Sequence, residues 1–181
     1  MQNIEEKLRG KQFRFWTKNG IFSKDRIDAG TKLLIENIEV DKNDSVLDLG
    51  CGYGVIGIVL STLTSGKVML VDSDIRAVEL ARKNITENHI LNAQVLISDA
   101  FSNIGEQIFD IIASYPPSHE GEATIEEFLE GARDHLKKKG KFYLVTEKRL
   151  ANYFNRMLAN YYKNVSEIAK DEKHTVYLVK N

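Results

Sequence analysis

Short apolar runs alternate with amphipathic stretches along most of the chain. SVLDLG, KVMLVD, AQVLISD, FDIIASY and KFYLVT are brief apolar runs, a pattern that predicts buried strands. The segments between them space apolar residues three or four apart, as in DIRAVELARKNITENH, which predicts helices. TIEEFLEGARDHLKKKG also has acids at its start and lysines at its end, as a helix dipole favours. Alternating strands and helices predict an α/β fold, in which helices cover both faces of a doubly wound, mostly parallel sheet.

The two ends of the chain predict antiparallel structure. Near the N-terminus, QFRFWTKNGIFS places two aromatic-rich runs around Asn19-Gly20, a dipeptide suited to a tight hairpin turn. At the C-terminus, NVSEIAK and HTVYLVK are joined by a loop too short for a parallel crossover. We therefore expect a single domain. In it, an N-terminal arm and β-hairpin over residues 1–27 precede a core of residues 28–181, whose seven-stranded sheet has an antiparallel last strand.

Composition narrows the class of protein. The chain has 181 residues, 43% of them hydrophobic and 28% charged, which suffices for one globular domain. The charged N-terminus lacks the apolar stretch of a signal peptide, and the longest apolar run, Val55 to Leu60, is too short to span a bilayer. The single cysteine excludes an internal disulfide and is typical of the reducing cytoplasm. We expect a cytoplasmic protein with no membrane partner and, since no histidine has ligand-like spacing, no metal site.

Charge is unevenly distributed, although the net charge is only −1. Residues 7–26 carry seven lysine or arginine residues against one acid. They are interleaved with Phe13, Phe15, Trp16 and Phe22. Such an arm could hold RNA or a ribosomal component by phosphate contacts and base stacking. Alternatively, its aromatic rings could pack on the core while its charges face water, and the sequence leaves both interpretations open.

A glycine-rich loop follows the first core strand in VLDLGCGYGVIG. Gly50, Gly52 and Gly54 carry no Cβ, so a ligand can approach the backbone closely there. Loop amides and the N-terminus of the next helix favour a carboxylate or phosphate. A tight turn would need fewer glycines than these three. Cys51 is expected to be a buried, inert thiol, since no base or second cysteine is evident.

Carboxylates end the next two strands. Asp72 closes KVMLVD, where a carboxylate can accept hydrogen bonds from both hydroxyls of a ribose. It could instead cap the following helix, although Asp74 is better placed for that role. Asp99 closes AQVLISD and could accept from an exocyclic amine or serve only in a turn. Ligands of such sheets bind beyond the carboxyl ends of the strands, so these residues are expected to share one site with the glycine loop.

Two nucleotide-type ligands compete for this site. Residues 52–57 satisfy the spacing of a dinucleotide fingerprint, but Gly50 and Cys51 would then lie inside the strand. Asp48 would also repel a pyrophosphate. S-adenosylmethionine carries an ammonium and a sulfonium besides a carboxylate, a ribose and an adenine. One such ligand therefore accounts for Asp48, the glycine loop and both later carboxylates.

These strand ends together resemble a known family. VLDLGCGYGVIGI, VDSDIRAVELARKN, SDAF and FDIIASYPP are similar to the successive motifs of class I S-adenosylmethionine-dependent methyltransferases, whose fold is Rossmann-like. GIFSKDRIDAGTKLLIE (residues 20–36) is similar to a signature of the small-domain type, exemplified by the ribosomal RNA guanine-N2 methyltransferases. The resemblance covers residues 13–180. It implies a methyltransferase that acts on RNA, with an exocyclic amine of guanine in ribosomal RNA as the expected target.

The resemblance also implies which residues bind the cofactor. Asp48 and the glycine loop would hold the methionine moiety, Asp72 the ribose and Asp99 the adenine amine. Neighbours of the last two carboxylates would line the nucleoside, and two residues near the start of the first core helix would close the pocket. The full cofactor-binding set is Asp28, Thr31, Asp48, Gly50, Cys51, Gly52, Gly54, Asp72, Ser73, Asp99 and Ala100.

Both prolines of the chain fall in one loop, directly after FDIIASY. In amino-methylating relatives this loop begins with Asn or Asp, whose oxygen accepts a hydrogen bond from the target amine together with the carbonyl of the first proline. Rigid prolines fix those acceptors and so position the amine for in-line transfer. Here Tyr115 stands in place of the Asn, ahead of Pro116 and Pro117, and these three residues are the catalytic candidates.

The change to Tyr115 leaves the chemistry open. Tyr115 could stack on the substrate or accept one hydrogen bond, or Ser114 or His119 could supply the lost acceptor. The chain could also be a module that binds the cofactor without methyl transfer. A third alternative is a methyltransferase with a non-amine, protein or small-molecule target.

Overall fold

A seven-stranded mixed sheet forms the centre of the structure, a computed structural model that describes residues 2–18, 20, 25–117 and 121–180. The strands and helices in chain order are β1 (Gln2–Leu8), β2 (Lys11–Thr17), α1 (Ala29–Asn37), β3 (Val46–Leu49), α2 (Val55–Ser61), β4 (Val68–Asp72), α3 (Ile75–Glu87), β5 (Ala93–Ile97), β6 (Phe109–Ser114), α4 (Glu122–Asp134), β7 (Leu136–Glu147), α5 (Ala151–Tyr161), β8 (Asn164–Lys170) and β9 (His174–Lys180). A short 3₁₀ turn, Lys148–Leu150, links β7 to α5.

The sheet has the order β5-β4-β3-β6-β7-β9-β8. The strands from β5 to β7 are parallel, β9 runs antiparallel to β7, and β8 runs antiparallel to β9. The chain therefore builds outward from β3 to β5 and then returns to place β6 on the other side of β3. The predicted doubly wound sheet and its antiparallel last strand are confirmed. The reversal beside β3 is the switch point at which ligands of open α/β sheets bind.

Each strand alternates its side chains between two hydrophobic layers. In β3, Val46 packs with α1, α2, α3 and the N-terminal hairpin, whereas Leu47 and Leu49 pack with α4 and α5. All of β3 is buried because helices cover both faces of the sheet. The helices are short, α3 and α4 having 13 residues each, and none in the described parts of the chain has the length and apolarity to cross a bilayer.

The structure has an N-terminal hairpin, and its turn is one that we did not predict. β1 and β2 pair around Arg9-Gly10, which both have positive φ. QFRFWT therefore lies in the second strand of this hairpin, and the predicted turn at Asn19-Gly20 falls largely on residues that the structure does not describe. The first strand escaped prediction because it buries only Ile4 and Leu8 and is otherwise polar. Asn19 and residues 21–24 lie outside the described residues.

The aromatic rings of this hairpin pack on the core. Phe13 and Phe15 are buried, and Phe15 meets the ring of Tyr53 edge-on at 6.1 Å between centroids. Trp16 is half-buried, donates from Nε1 to Glu87, and lies under the ammonium of Lys83. The packing interpretation therefore holds for these rings, which do not form a free stacking surface. Phe22 lies outside the described residues.

The lysines at 137–139 end up in a strand and not, as predicted, at a helix C-terminus. α4 ends at Asp134, and β7 begins at Leu136, which is buried and pairs with Phe109 of β6. The ammonium of Lys137 donates to Asp110 at 2.7 Å across the same strand pair. Because Leu136 is buried in the sheet, the chain enters β7 although the sequence of residues 136–139 still fits the pattern of a helix.

Two asparagines, one in α3 and one at its C-cap, clamp the hairpin to the core. Asn84 accepts from the amide of Trp16 at 2.7 Å and donates to the carbonyls of Trp16 and Tyr53. One turn later, Asn88 makes the same pair of bonds with the amide and carbonyl of Arg14. Asn84 is fully buried, whereas Asn88 is half-buried and its bonds to Arg14 lie in exposed surroundings.

The two clamps predict unequal costs of substitution. Asn84→Ala would leave one buried and two partly buried backbone groups without this partner, and we expect it to lower the free energy of unfolding by about 2–4 kcal/mol. Asn88→Ala is the matched control, because water can replace its bonds to Arg14, and should cost about 1 kcal/mol or less. Urea unfolding monitored by tryptophan fluorescence compares the two variants. Equal losses would contradict the assignment of Asn84 as the clamp that holds the hairpin.

Candidate active site

A cavity of about 300 Å³ lies at the carboxyl edge of the sheet, beside the switch point between β3 and β6. Its walls are the loops that follow β3, β4, β5 and β6, together with the start of α1. The predicted site residues that line it are Asp28, Thr31, Gly50, Cys51, Gly52, Asp72, Ser73, Asp99, Ala100, Tyr115, Pro116 and Pro117. Asp48 and Gly54, which were predicted with them, do not line the cavity.

The glycine loop provides space for a ligand rather than free hydrogen-bond donors. Gly52 has φ of +55°, and a Cβ built there would meet no atom within 4 Å. The amides of Gly50 and Cys51 both donate to the carbonyl of Val71, and the amide of Gly52 donates to Asp72. We expected loop amides that favour an anion, but these amides are engaged within the protein. The loop leaves an open cradle at Gly52.

Asp72 is held in one orientation at the end of β4. Its Oδ2 accepts from the amide of Gly52 at 2.8 Å, and its Oδ1 accepts from the amide of Asp74 at 2.9 Å. The following helix is capped by Asp74, which accepts from the amide of Arg76, so Asp72 is not the cap. A carboxylate has about four lone-pair sites, so this one can still accept from a diol in the cavity.

The end of β5 places a second carboxylate at the rim. Asp99 is exposed, and the next residue, Ala100, is buried with φ of +41°. Ser98 fixes this turn by donating from Oγ to the carbonyl of Ala100 at 2.8 Å. The turn therefore exposes the carboxylate of Asp99 as a hydrogen-bond acceptor next to the small, buried Ala100. Such an acceptor suits a base that carries an exocyclic amine.

The proline loop stands at the junction between the cavity and a larger groove. Tyr115 is half-buried, and its ring meets the ring of His174 edge-on at 6.1 Å. Burial, together with the nearby Asp28, Glu147 and Asp171, raises the pKa of the Tyr115 phenol, so the hydroxyl stays protonated at neutral pH.

The structure also tests the alternative acceptors named for this loop. Ser114 is fully buried in the sheet and donates from Oγ to the carbonyl of Leu49 at 2.8 Å, so it does not face the cavity. His119 lies outside the described residues. Of the three polar candidates Ser114, Tyr115 and His119, Tyr115 is thus the one that the structure describes in the lining of the cavity.

His174 is a site residue that sequence reasoning did not select. Its position in the sequence has no ligand-like spacing to another histidine. It is buried, with Nδ1 at 3.2 Å from an oxygen of Asp171 and Nε2 at 3.8 Å from an oxygen of Asp28. Gly30 leaves room for the ring, since a Cβ there would lie 2.7 Å from it. His174 thereby connects the β8–β9 turn to the cap of α1, and no motif in the sequence indicates this long-range contact.

Other wall residues were missed because their types carry no chemical signal. They are mainly apolar or aromatic and fit equally well as ordinary core positions. The members of this set are Tyr53, Val55, Ile56, Val71, Ala77, Thr124 and Phe128.

The charge of the cavity decides between the two ligand classes. Five carboxylate residues line it, and no lysine or arginine occurs among its described lining residues. The five are Asp28, Asp72, Asp74, Asp99 and Glu147. Such a lining attracts a cationic ligand and repels a pyrophosphate. The cavity therefore disfavours a dinucleotide and suits a sulfonium nucleoside with a free ammonium group.

Asp48 has a different position from the one the resemblance implied. It is fully buried in β3, and its Oδ2 accepts from the amide of Gly57 in the first turn of α2 at 2.7 Å. Its Oδ1 is buried without a hydrogen-bond partner among the described residues. Burial raises the pKa of Asp48 to about 7. Asp48 thus satisfies the helix terminus on which a dinucleotide pyrophosphate would otherwise lie.

Cys51 is buried and has the properties of an inert thiol. Burial, followed by the nearby Asp48 and Asp72, raises the pKa of Cys51 well above its ordinary value. The thiolate, which is the nucleophilic form, is therefore scarce at neutral pH. Within the described ranges, no three histidine, cysteine or acidic side chains come together as metal ligands would.

Comparison with known proteins agrees with this geometry. The family described as methyltransferase small domain matches residues 12–178. The Bacillus subtilis protein YbxB is 37% identical over 146 residues, which cover 79% of this chain and 73% of that one. Ribosomal RNA small subunit methyltransferase C of Haemophilus influenzae is 36% identical over 167 residues, which cover 90% of this chain and 49% of that one.

A solved structure extends the similarity to three dimensions. The T. thermophilus 16S rRNA N2 G1207 methyltransferase (RsmC), solved in complex with AdoMet and guanosine, superposes with a TM-score of 0.90 at 27% identity. The match covers 99% of this chain and 50% of that one. The chain thus spans about half the length of the ribosomal RNA methyltransferases that it matches.

The buried carboxylate predicts a stability that depends on pH. The folded-state pKa of Asp48, about 7, lies above its ordinary value of 3.8, so the folded state holds an extra proton between these values. The stability present below about pH 4 is therefore lost as the pH rises through 7. Asp48→Asn should be about 1–3 kcal/mol more stable than the wild type at pH 8, with the difference vanishing near pH 4. Urea unfolding at a series of pH values measures this difference.

Asp110→Asn serves as the control of opposite sign. Although burial opposes it, hydrogen bonds from Lys137 and Ser45 lower the pKa of Asp110. This variant should be less stable than the wild type at pH 8 and should approach it only below about pH 4. If the wild type instead gained stability relative to Asp48→Asn between pH 5 and 8, the raised pKa assigned to Asp48 would be contradicted.

Proposed function

Because the chain belongs to the methyltransferase small domain family, we propose that it transfers a methyl group from S-adenosylmethionine, the cofactor of this family, to an exocyclic amine of guanine in ribosomal RNA. The RNA target rests on relatives named for ribosomal RNA methylation and on a structural neighbour that holds AdoMet and guanosine. Since these relatives are about twice as long as the matched region, their substrate is carried over as a proposal. A cytoplasmic location stays a prediction.

The residues of the cavity fit S-adenosylmethionine. The open cradle at Gly52 admits a ligand that any side chain there would block. Asp72 offers acceptors for the ribose hydroxyls, and Asp99 offers one at the rim for the adenine amine. The apolar side chains of Val71 and Phe128 can face the base. When bound, the cofactor supplies an electrophilic methyl group on a sulfonium.

The acidic lining, which has no lysine or arginine among its described residues, is the observation that carries this proposal. Its carboxylates stabilise positive charge at the ligand, and two of them, Asp74 and Glu147, are themselves paired with Arg76 and Arg149. Asp28 contributes to this lining from a fixed position, because its carboxylate caps α1 by accepting from the amides of Gly30 and Thr31. Asp48, which does not reach the cavity, contributes by holding the first turn of α2 beside the glycine loop.

Tyr115, Pro116 and Pro117 would position the acceptor base. The prolines stiffen the loop, and Tyr115 forms the wall between the cavity and the neighbouring groove, so a base that enters from the groove meets its ring first. Its phenol stays protonated, so it does not serve as a base at neutral pH. We propose that the ring stacks on the target base and that the backbone of the proline loop holds the amine for in-line transfer.

A pair of glycine substitutions tests the cofactor site. Gly52 and Gly10 both have positive φ and open space where a Cβ would lie, and Asn tolerates that backbone conformation. Gly52→Asn should lower the affinity for S-adenosylmethionine at least about tenfold, because its side chain enters the cavity. Gly10→Asn, in the distant hairpin turn, should bind as the wild type does. Calorimetric titration measures both affinities, and equal binding by the two variants would show that the cofactor lies elsewhere.

Tyr115→Phe and Tyr115→Ala test the reaction and the role of the ring. The wild type should convert guanine in ribosomal RNA to an N2-methylated nucleoside, detected by mass spectrometry after digestion. If the ring stacks, Tyr115→Phe should keep kcat within about threefold, whereas Tyr115→Ala should lose about 10- to 100-fold.

The outcomes of this assay separate function from mechanism. Equal losses in both Tyr115 variants would assign the role to the hydroxyl and contradict stacking. A wild type that binds S-adenosylmethionine and methylates no RNA, protein or small molecule of a cell extract would show a cofactor-binding module without transferase activity.

A further inference from the structure

A second depression adjoins the cavity on the far side of Tyr115. It is an open groove of about 870 Å³, and it shares Asp28, Tyr115 and Glu147 with the cavity. A molecule lying along the groove can therefore place one group past Tyr115 into the cavity while its remainder stays outside. The groove is larger than the cavity and open to solvent, as a site for an extended chain has to be.

The described residues that line the groove carry an excess of positive charge, whereas those that line the cavity are acidic. Three separate segments of the chain bring lysine and arginine side chains to its walls. These are Arg26, Lys32, Lys148, Arg149 and Lys173. Three acids, Asp28, Glu147 and Glu172, also line it, so cations are in excess. Cations from three distant segments make this a property of the folded surface that the sequence does not show.

Two of these cations are available to a ligand. Lys32 is bonded to Glu6 at 2.6 Å, and Arg149 is paired with Glu147. Lys148 and Lys173 are exposed and form no ion pair with any described residue. The amide of Lys148 donates to the carbonyl of Lys173 at 2.6 Å, so the two turns that carry them are tied together. The structure thus presents two exposed lysines on adjacent turns, neither of them in an ion pair with a described residue.

The other side of the proline loop would repel a polyanion. α4 begins five residues after Pro117 and exposes an acidic face made of Glu122, Glu126, Glu127 and Glu130. A nucleic-acid backbone that approaches the cavity from this side meets like charge, and from the groove side it meets cations. Of the two sides that the described residues form, the groove side is therefore the favourable route to Tyr115.

We propose that this groove holds the sugar-phosphate backbone of a single-stranded RNA segment, with Lys148 and Lys173 each contacting a phosphate while the target base passes Tyr115 into the cavity. The inference rests on the proposed function, because it takes RNA as the substrate. It assigns RNA binding to the groove and not to the N-terminal hairpin, whose rings are packed on the core. Phosphate contacts of this kind give affinity that falls with salt and does not depend on sequence.

A double substitution in the groove provides the test. The double variant Lys148→Ala/Lys173→Ala is compared with Lys42→Ala/Lys138→Ala. The control removes two exposed lysines at the amino ends of the parallel strands: Lys42 lies in the loop before β3, and Lys138 lies near the start of β7. Binding of a fluorescein-labelled single-stranded RNA 12-mer is measured by anisotropy across a salt series, with S-adenosylhomocysteine present. Methylation of ribosomal RNA and affinity for S-adenosylmethionine are measured on the same proteins.

We expect the groove variant to bind RNA about 10-fold more weakly at 0.1 M salt. The slope of log affinity against log salt should fall by about 1.4, since each phosphate contact to a single strand contributes about 0.7. The control should match the wild type, and both variants should keep the affinity for S-adenosylmethionine. An unchanged salt slope in the groove variant overturns the inference, as does a wild type that binds no RNA. Unchanged RNA binding with intact methylation would overturn the groove alone and leave the proposed function standing.

Discussion

Parallel strands deliver their carboxyl ends to one edge of a sheet, and the site depends on this constraint. The loops after β3, β4, β5 and β6 all lie at this edge, so residues far apart in sequence line one cavity. The amide of Gly52 on one loop is held by Asp72 on the next, which locks the two loops together. Asp48 acts one layer below, because its carboxylate satisfies the start of α2 from inside the sheet. The chemistry of the site therefore follows from strand order before any ligand is considered.

Charge then divides this edge into two compartments. The cavity has carboxylates and no described cation, whereas the groove beyond Tyr115 has an excess of lysine and arginine. A sulfonium nucleoside and the phosphodiester backbone of an RNA need surroundings of opposite charge, and the proposed methyl transfer to an RNA base needs the two surroundings side by side. Tyr115 lies at the boundary, supported by His174, which reaches back to Asp171 and Asp28. The division into compartments is thus a property of tertiary contacts.

The sequence predicted the fold well where local pattern and tertiary packing agree. The core strands, the switch point and the carboxylates Asp72 and Asp99 follow from apolar periodicity and strand ends. It missed the polar strand β1 and its turn at Arg9-Gly10, and it failed at the lysines of β7, where burial of Leu136 overrides the helical pattern. It could not find His174 or the groove, because both are made by segments that only the fold brings together.

Every proposed role depends on a cavity that accepts a sulfonium nucleoside and not a dinucleotide. Calorimetric titration of the wild type with S-adenosylmethionine, S-adenosylhomocysteine and NAD, in the same buffer, tests this selectivity most directly. We expect one site that binds S-adenosylmethionine and S-adenosylhomocysteine and gives no heat with NAD. Binding of NAD at least as tight as that of S-adenosylmethionine would contradict it.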